Sequence, residues 1–358
     1  MKFARITALL VVALSLAACG GGVASQVVPG KKIAFLLPES TSPRYENQDR
    51  PLFQAKLESV CGDCTVMYRN ANGDAGAQRQ QADYVLGAGA NVLVLDPVDN
   101  SSAAAIVSAA TRRHVPVIAY DRLVMSATSL RYYVGFDDAA IGTLQGDSLL
   151  AALKAAQPSV VMLNGDAADR DAAALKQAVH KVIDGKVVVA KEFDTPASSS
   201  DGAQLEMTQA LAALTALNGT VDGVYAANDE MASGAVAAIK AAKLKVMPPV
   251  TGGDTELAAV QRIVAGDQYM TVYRPVRQEA EAAAVIAYDL AYGVAVSASM
   301  TGGNTMDNGA AVVPAVLIQP VAVTRRTVIS TVVADGFWTR AEICTPEFVQ
   351  ACQAAGLS

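Results

Sequence analysis

NVLVLDPVDNSSAAAIVSAATRRHVPVIAYD, residues 91–121, decides the fold. Its two ends, NVLVLDP (91–97) and VPVIAYD (115–121), are apolar runs of strand length, and residues 101–113 between them read as a helix. Near-continuous Val, Ile and Leu strands joined through a helix indicate a parallel sheet covered on both faces. The same rhythm extends outward. KIAFLLP (32–38) and TVMYRNA (65–71) are strands, with helices over 46–61 and 75–88. RYYVGFD (131–137) is a shorter strand, followed by a helix over 139–156. The pattern then restarts with SVVMLNG (159–165), KVVVAKEFD (186–194), GVYAAND (223–229), PVTGGD (249–254) and YMTVYRP (269–275), with helices in the gaps. Two such runs predict an α/β chain of two doubly wound parallel-sheet domains, and 358 residues suit about two domains. The halves share rhythm but no detectable sequence, which is duplicated architecture and not a short-period repeat.

Composition narrows the function classes. Hydrophobic residues at 52% supply a large core and argue against disorder. A formal charge of −6 offers no general attraction to nucleic acid or anionic lipid, so no nucleic-acid partner is expected. No GxxxxGK phosphate loop, strand-linked GxGxxG, GxSxG turn or HExxH pair occurs, so no cofactor and no metal are expected. GDAADRD (165–171) lacks the oxygen-ligand spacing of a calcium loop.

The N-terminus reads as an export signal. Lys2 and Arg5 precede an apolar stretch over 6–18 that is too short for a comfortable membrane span. Leu16, Ala17 and Ala18 lead into Cys19, as in a bacterial lipoprotein signal, so residues 1–18 are expected to be removed and Cys19 lipidated. Residues 19–30 then form a flexible tether. Four cysteines remain, an even number for an oxidising compartment. Cys61 lies close to Cys64, and Cys344 close to Cys352, which predicts two local disulfides. A redox role for CGDC is weaker, because it follows a helical segment and precedes a strand, as a turn would.

In doubly wound sheets the loops at the carboxyl ends of strands carry ligand contacts. That rule selects Asp121 and Arg122, Asn164 and Asp166, Asn228 and Asp229, Asp254, and Arg274. Such groups suit hydroxyls, and a ligand lacking one hydroxyl leaves a buried partner unpaired. Each also has a plainer reading. Asp121, Asn228 and Asp254 could be helix N-caps, Arg122 a solvated loop residue, and Tyr45 and Phe193 ordinary core aromatics.

At these strand ends the chain resembles the periplasmic sugar-binding proteins of ABC transporters, specifically the D-xylose-binding type. The landmarks are SPRYENQD (42–49), VPVIAYDRLV (115–124), YYVGFDDAAIGTLQG (132–146), YAANDEMASGA (225–235), VTGGDTELAAVQRIVAGDQYMTVYRP (250–275) and VADGF (333–337). The resemblance implies the type I periplasmic-binding-protein fold, with a hinge of three crossovers, and a ligand set. Arg44 and Tyr45 match an Arg-aromatic pair in the first loop. Asp121 and Arg122 match a YDR pair. Asp169 and Asp171 match a loop that usually reads Asp-Asn-Asn. Phe193 falls where a tryptophan stacks on the sugar, and Asn228, Asp254 and Arg274 match an Asn, an Asp and a Lys. Arg274 for Lys, Phe193 for Trp and Asp171 for Asn all alter the pocket itself.

The resemblance further implies a non-enzymatic, monomeric solute-binding lipoprotein. It would capture a monosaccharide, D-xylose or a similar pentose, outside the cytoplasm for an ABC permease. An alternative is a sugar receptor for a membrane signalling or chemotaxis sensor. A repressor-type sensor would carry a helix-turn-helix where this chain has its signal. A glycosidase would need two opposed carboxylates, which Asp121 and Asp254 could mimic. The expected lobes are 31–138 with 276–308, and 139–275 with 309–337. Residues 338–358 form a C-terminal extension.

Overall fold

Alternation along β1 (Lys32–Leu37) shows how the first lobe is built. Ile33, Phe35 and Leu37 enter one buried cluster and Ala34 and Leu36 another, so the strand is covered on both faces. The computed structural model describes residues 30–40, 44–167 and 169–357. The signal, Cys19 and nearly all of the tether lie outside the described residues.

The other strands of this lobe are β2 (Thr65–Asn70), β3 (Val92–Leu95), β4 (Val117–Asp121) and β5 (Leu130–Phe136). Helices α1 (Arg50–Val60), α2 (Ala75–Gly87) and α3 (Asn100–Arg112) alternate with them. Asp74 and Asp99 cap α2 and α3 by accepting from the backbone N–H of Ala77 and Ser102. Phe35 stacks on Phe53 at 4.3 Å and meets Tyr120 edge-on at 5.3 Å, at the centre of the face that α1 covers.

After β5 the chain enters α4 (Asp138–Ala152), which packs on α5 (Arg170–Ile183) in the second lobe. That lobe holds β6 (Ser159–Asn164), β7 (Val188–Asp194), α6 (Ser200–Ala216), β8 (Gly223–Ala226), α7 (Asp229–Ala242), α8 (Leu257–Ala265) and β9 (Met270–Tyr273). Strands β7, β6 and β8 are parallel neighbours. Helices α6 and α7 approach so closely that a Cβ on Gly234 would stand 2.1 Å from the Ser200 carbonyl oxygen.

The run 249–254, expected as a strand, contributes only the bridge of Val250 to Val224. Its other backbone groups are engaged elsewhere. Gly252 O accepts from Gln145 Nε2 at 3.0 Å, and Gly253 O accepts from the Asp229 N–H at 2.9 Å. Val250 O also accepts from Tyr269 N–H at 2.9 Å, which ties β9 to the rest of the lobe.

The chain returns to the first lobe through α9 (Val276–Tyr292), whose Ala280, Ala283, Ala284, Ile286 and Ala287 join the core over α1. The third crossing differs from the expected lobe boundary between 308 and 309. β10 (Thr305–Asp307) pairs antiparallel with β11 (Val312–Ile318), and β11 pairs parallel with β5. Residues 309–318 therefore belong with the first lobe, whose sheet runs β10-β11-β5-β4-β3-β1-β2. The expectation missed β11, a strand pinned only by its long-range partner. The crossing follows Ile318, and β12 (Val321–Thr324) then pairs antiparallel with β9.

Both disulfides, Cys61–Cys64 and Cys344–Cys352, are present. Ile343, Cys352 and Leu357 are buried with Val260, Ile263 and Tyr273. The C-terminal segment is thus part of the second lobe's core. Among the described residues, no helix is long and apolar enough to cross a membrane.

Candidate functional site

The carboxyl ends of the strands from both lobes open onto one cleft of about 950 Å³. Seven of the ten ligand candidates line it: Arg44, Tyr45, Asp121, Arg122, Asp171, Asp254 and Arg274. The first lobe supplies Arg44 through Arg122, and the second supplies Asp171 and Asp254. Arg274 stands between β9 and α9, where the chain crosses between lobes.

Arg44 organises the first lobe's side. Its Nε and Nη2 grip Asp49 at 3.0 and 2.8 Å, Nη2 also reaches Glu279 Oε2 at 2.9 Å, and Nη1 reaches Asp121 Oδ1 at 3.4 Å. Asp49 and Glu279 are fully buried. Burial works against the charge on Arg44, but Asp121, Asp49 and Glu279 outweigh it and hold the guanidinium firmly protonated. Tyr45 donates its hydroxyl to Asp121 Oδ2 at 3.1 Å, and Tyr133 donates to Asp121 O at 2.9 Å. Asp121 lies in the left-handed region, with φ of 57°. A strained residue fixed by side-chain bonds is a pre-organised acceptor. Burial raises its carboxyl, yet Arg44, Arg274 and Arg122 together bring it below the usual carboxylate range.

Arg122 is tethered lightly, donating from Nη1 to Pro97 O at 3.2 Å, with Asp96 Oδ1 4.0 Å from its Nε. Asp96 is fully buried, and among the described residues neither carboxylate oxygen has a hydrogen-bond partner. Burial, with Asp121 adding, pushes its carboxyl well above the usual range. Arg274 lies 3.7 Å from Asp254 Oδ1 and 5.8 Å from the centroid of the Phe136 ring.

Asp254 and Thr255 both have positive φ, 86° and 59°. The turn is braced from below. Thr255 donates from Oγ1 to Val272 O at 2.8 Å and from its backbone N–H to Thr271 Oγ1 at 3.2 Å. Buried Asp229 accepts from Gln268 Nε2, Thr271 Oγ1 and the Glu256 N–H at 2.8, 2.7 and 3.0 Å.

Three candidates do not line the cleft. Asp169 caps α5, its Oδ1 accepting from Asp171 N–H at 2.9 Å. Asn228 caps α7, its Oδ1 accepting from Met231 N–H at 2.8 Å. Phe193 packs against the second lobe's core. In each of the three a helix cap or a core contact engages the side chain. Cleft residues that sequence reasoning missed include Phe136 and Asp138, at the end of β5 and just after it, and Phe337, Trp338 and Glu342 from the C-terminal segment. The strand-end rule applied to VGFDD would have found the first two. Of the last three, Phe337 closes the VADGF landmark, and Trp338 and Glu342 carry no sequence signal beyond the presence of the chain's single tryptophan.

Asp138 is pushed up to about 7 by burial and then by Asp171, with Arg274 opposing. Asp229 is pushed up to about 8, chiefly by burial. A carboxyl whose folded pKa exceeds its unfolded value near 3.9 binds more protons folded than unfolded between those values. Stability should therefore fall as pH rises from about 4 to about 8. Buried Asp96 and Glu279 act in the same sense, while Asp121 opposes. Melting temperatures at pH 5 and 8.5 check this, and Asp138→Asn should flatten the dependence.

Among the described residues, the one group of potential metal ligands, Cys61, Asp63 and Cys64, has its sulfurs joined in a disulfide, which removes both thiolates.

Two α/β lobes, a chain that crosses between them three times and a polar cleft at the facing strand ends define a two-lobed solute-binding protein. The periplasmic binding protein domain matches residues 33–294, and the chain belongs to that family. The D-xylose-binding periplasmic protein of Haemophilus influenzae is 33% identical over 317 residues, covering 87% of this chain and 92% of that one. Its Escherichia coli counterpart is 31% identical over the same length and coverage. An ABC transporter solute-binding protein from Clostridium phytofermentans, solved with β-D-glucose bound, superposes with a TM-score of 0.74 at 25% identity. That match covers 87% of this chain and all of that one. The protein is a solute-binding protein and not an enzyme.

Proposed function

We propose that the chain captures an uncharged monosaccharide, D-xylose or a similar pentose, in the cleft and presents it to an ABC permease. The observation that carries this is the make-up of the walls. Among the described residues, seven carboxyl groups and three guanidiniums line the cleft. Carboxylates accept hydroxyl protons, and each guanidinium donates in pairs. The excess of carboxyl groups disfavours sugar acids and sugar phosphates. Tyr45 and Phe136 offer apolar faces for C–H groups. The two xylose-binding relatives favour a pentose, and the glucose-bound neighbour makes a hexose the natural control. Polar groups come from both lobes, so the ligand gains most contacts when the lobes close, and closure follows from that difference in affinity.

In this reading the protein works as a monomer outside the cytoplasm, held to the membrane by a lipid on Cys19. The Leu16–Ala17–Ala18–Cys19 sequence and the periplasmic relatives support that location.

Calorimetric titration of the mature protein with xylose, arabinose, ribose, glucose and galactose tests the proposal. The expected result is tight binding of one or two of them; no heat with any would overturn it. Arg122→Ala should weaken binding about a hundredfold, the scale of a lost charged hydrogen-bonding group. Among the described residues the Arg122 side chain donates to Pro97 O and stands 4.0 Å from Asp96, so the melting temperature should hardly move. Affinity equal to that of the parent would remove Arg122 from the site.

A further inference from the structure

We infer that Trp338, carried by the C-terminal segment, is a ligand-facing wall of the cleft and the brace that positions Asp254. The inference rests on the sugar-binding reading and adds a residue from outside the residues matched by the family. Phe337, Trp338 and Glu342 border the same cleft as Asp121 and Asp254. The indole Nε1–H donates to Thr255 O at 2.8 Å. Thr255 and Asp254 both sit at positive φ. For a β-branched threonine that conformation persists only when its surroundings hold it. Val272 and Thr271 hold Thr255 from one side, and Trp338 holds its carbonyl from the other.

The segment is itself firmly placed. Phe337 meets Tyr273 edge-on at 5.1 Å and Trp338 at 5.3 Å. Just beyond, Thr339 and Glu342 form a reciprocal capping box that fixes the chain's direction. Gln261 Nε2 donates to Glu342 O at 3.0 Å, tying the segment to α8. The Cys344–Cys352 bridge and buried Ile343 and Leu357 anchor the remainder of the segment. On the other side Asp335 accepts from Tyr273, at the end of β9, and from Arg277 Nε at 3.1 Å, at the start of α9. The segment therefore spans the crossing that carries Arg274. Trp338 is half-buried, so its ring is held by the lobe while still bordering the cleft. An amphipathic ring with few rotatable bonds, set beside hydroxyl-binding carboxylates, suits the C–H face of a sugar.

Trp338 is the chain's one tryptophan, so fluorescence excited at the red edge, where tyrosine does not absorb, reports on it alone. The parent protein is titrated with the sugar that gives heat, while emission and acrylamide quenching are followed. The expected result is an emission shift and slower quenching at saturation. Trp338→Ala should weaken that sugar about tenfold or more, the scale of one hydrogen-bonded aromatic contact, and Trp338→Phe should lose less. Thermal melts establish that the variants fold, and the fluorescence measurement needs no variant. Sugar heat with unchanged emission and quenching overturns this inference alone, as does a folded Trp338→Ala that binds like the parent. A parent that binds no sugar overturns the sugar-binding reading and this inference with it.

Discussion

Arg44→Ala should abolish sugar capture and destabilise the protein by about 3–5 kcal/mol, the range for removing one partner of a buried ion cluster. The guanidinium is the cation that Asp49, Glu279 and Asp121 share, and the first two have no exposure to water. Without it, among the described residues, Asp49 keeps only the Tyr120 hydroxyl as a side-chain partner, and Glu279 loses the one partner of Oε2. Glu279 Oε1 has no partner among the described residues. Burial, with Asp121 adding, holds Glu279 well above the usual carboxyl range, so it takes up a proton readily. The destabilisation should therefore be smaller at pH 5 than at pH 8. Binding suffers separately, because Asp121 loses the charge that fixes its Oδ1. Urea unfolding at the two pH values, paired with calorimetry, measures both effects. A variant as stable as the parent at pH 8 would show that the cluster holds together without its cation.

Asp229→Ala should cost about 3 kcal/mol or more, since it strands several buried donors at once. Gln268 Nε2, Thr271 Oγ1 and the Glu256 N–H all point at this carboxyl. Of these, Gln268 Nε2 retains a second acceptor, Met270 O. Asp229 joins α7 to β9 and to the turn that carries Asp254, so sugar affinity should fall even though Asp229 does not line the cleft. Asp229→Asn keeps one acceptor oxygen and should lose less. Chemical denaturation reads the first effect and calorimetry the second. An alanine variant with full stability would mean that water replaces the carboxyl in that interior.

Much of the site could be read from strand ends. Asp121, Arg122 and Arg274 each follow an apolar strand, whose carboxyl end faces the ligand side of such a sheet, and Asp254 follows the Val250 bridge. The same rule also selected Asn228 and Asp229, which do not line the cleft. Asn and Asp at a strand-to-helix turn serve equally as caps or as ligand contacts, and only the direction of the side chain separates the two. Asn228 turns inward to the Met231 N–H, and Asp229 turns into the lobe. Asp169 shows the same ambiguity at the start of α5. β11 was missed because its place in the sheet depends on β5, which is distant in sequence.

By itself the sequence determined the alternating strands and helices, the two lobes and the positions where strands end, because burial on both faces of a parallel sheet writes an apolar pattern into neighbouring residues. Tertiary structure alone decided which polar strand ends share a wall, that Asp49 and Glu279 share a cation, and that the C-terminal Trp338 reaches the cleft. Those contacts join residues far apart in the chain, and no local pattern records which distant group a side chain will meet.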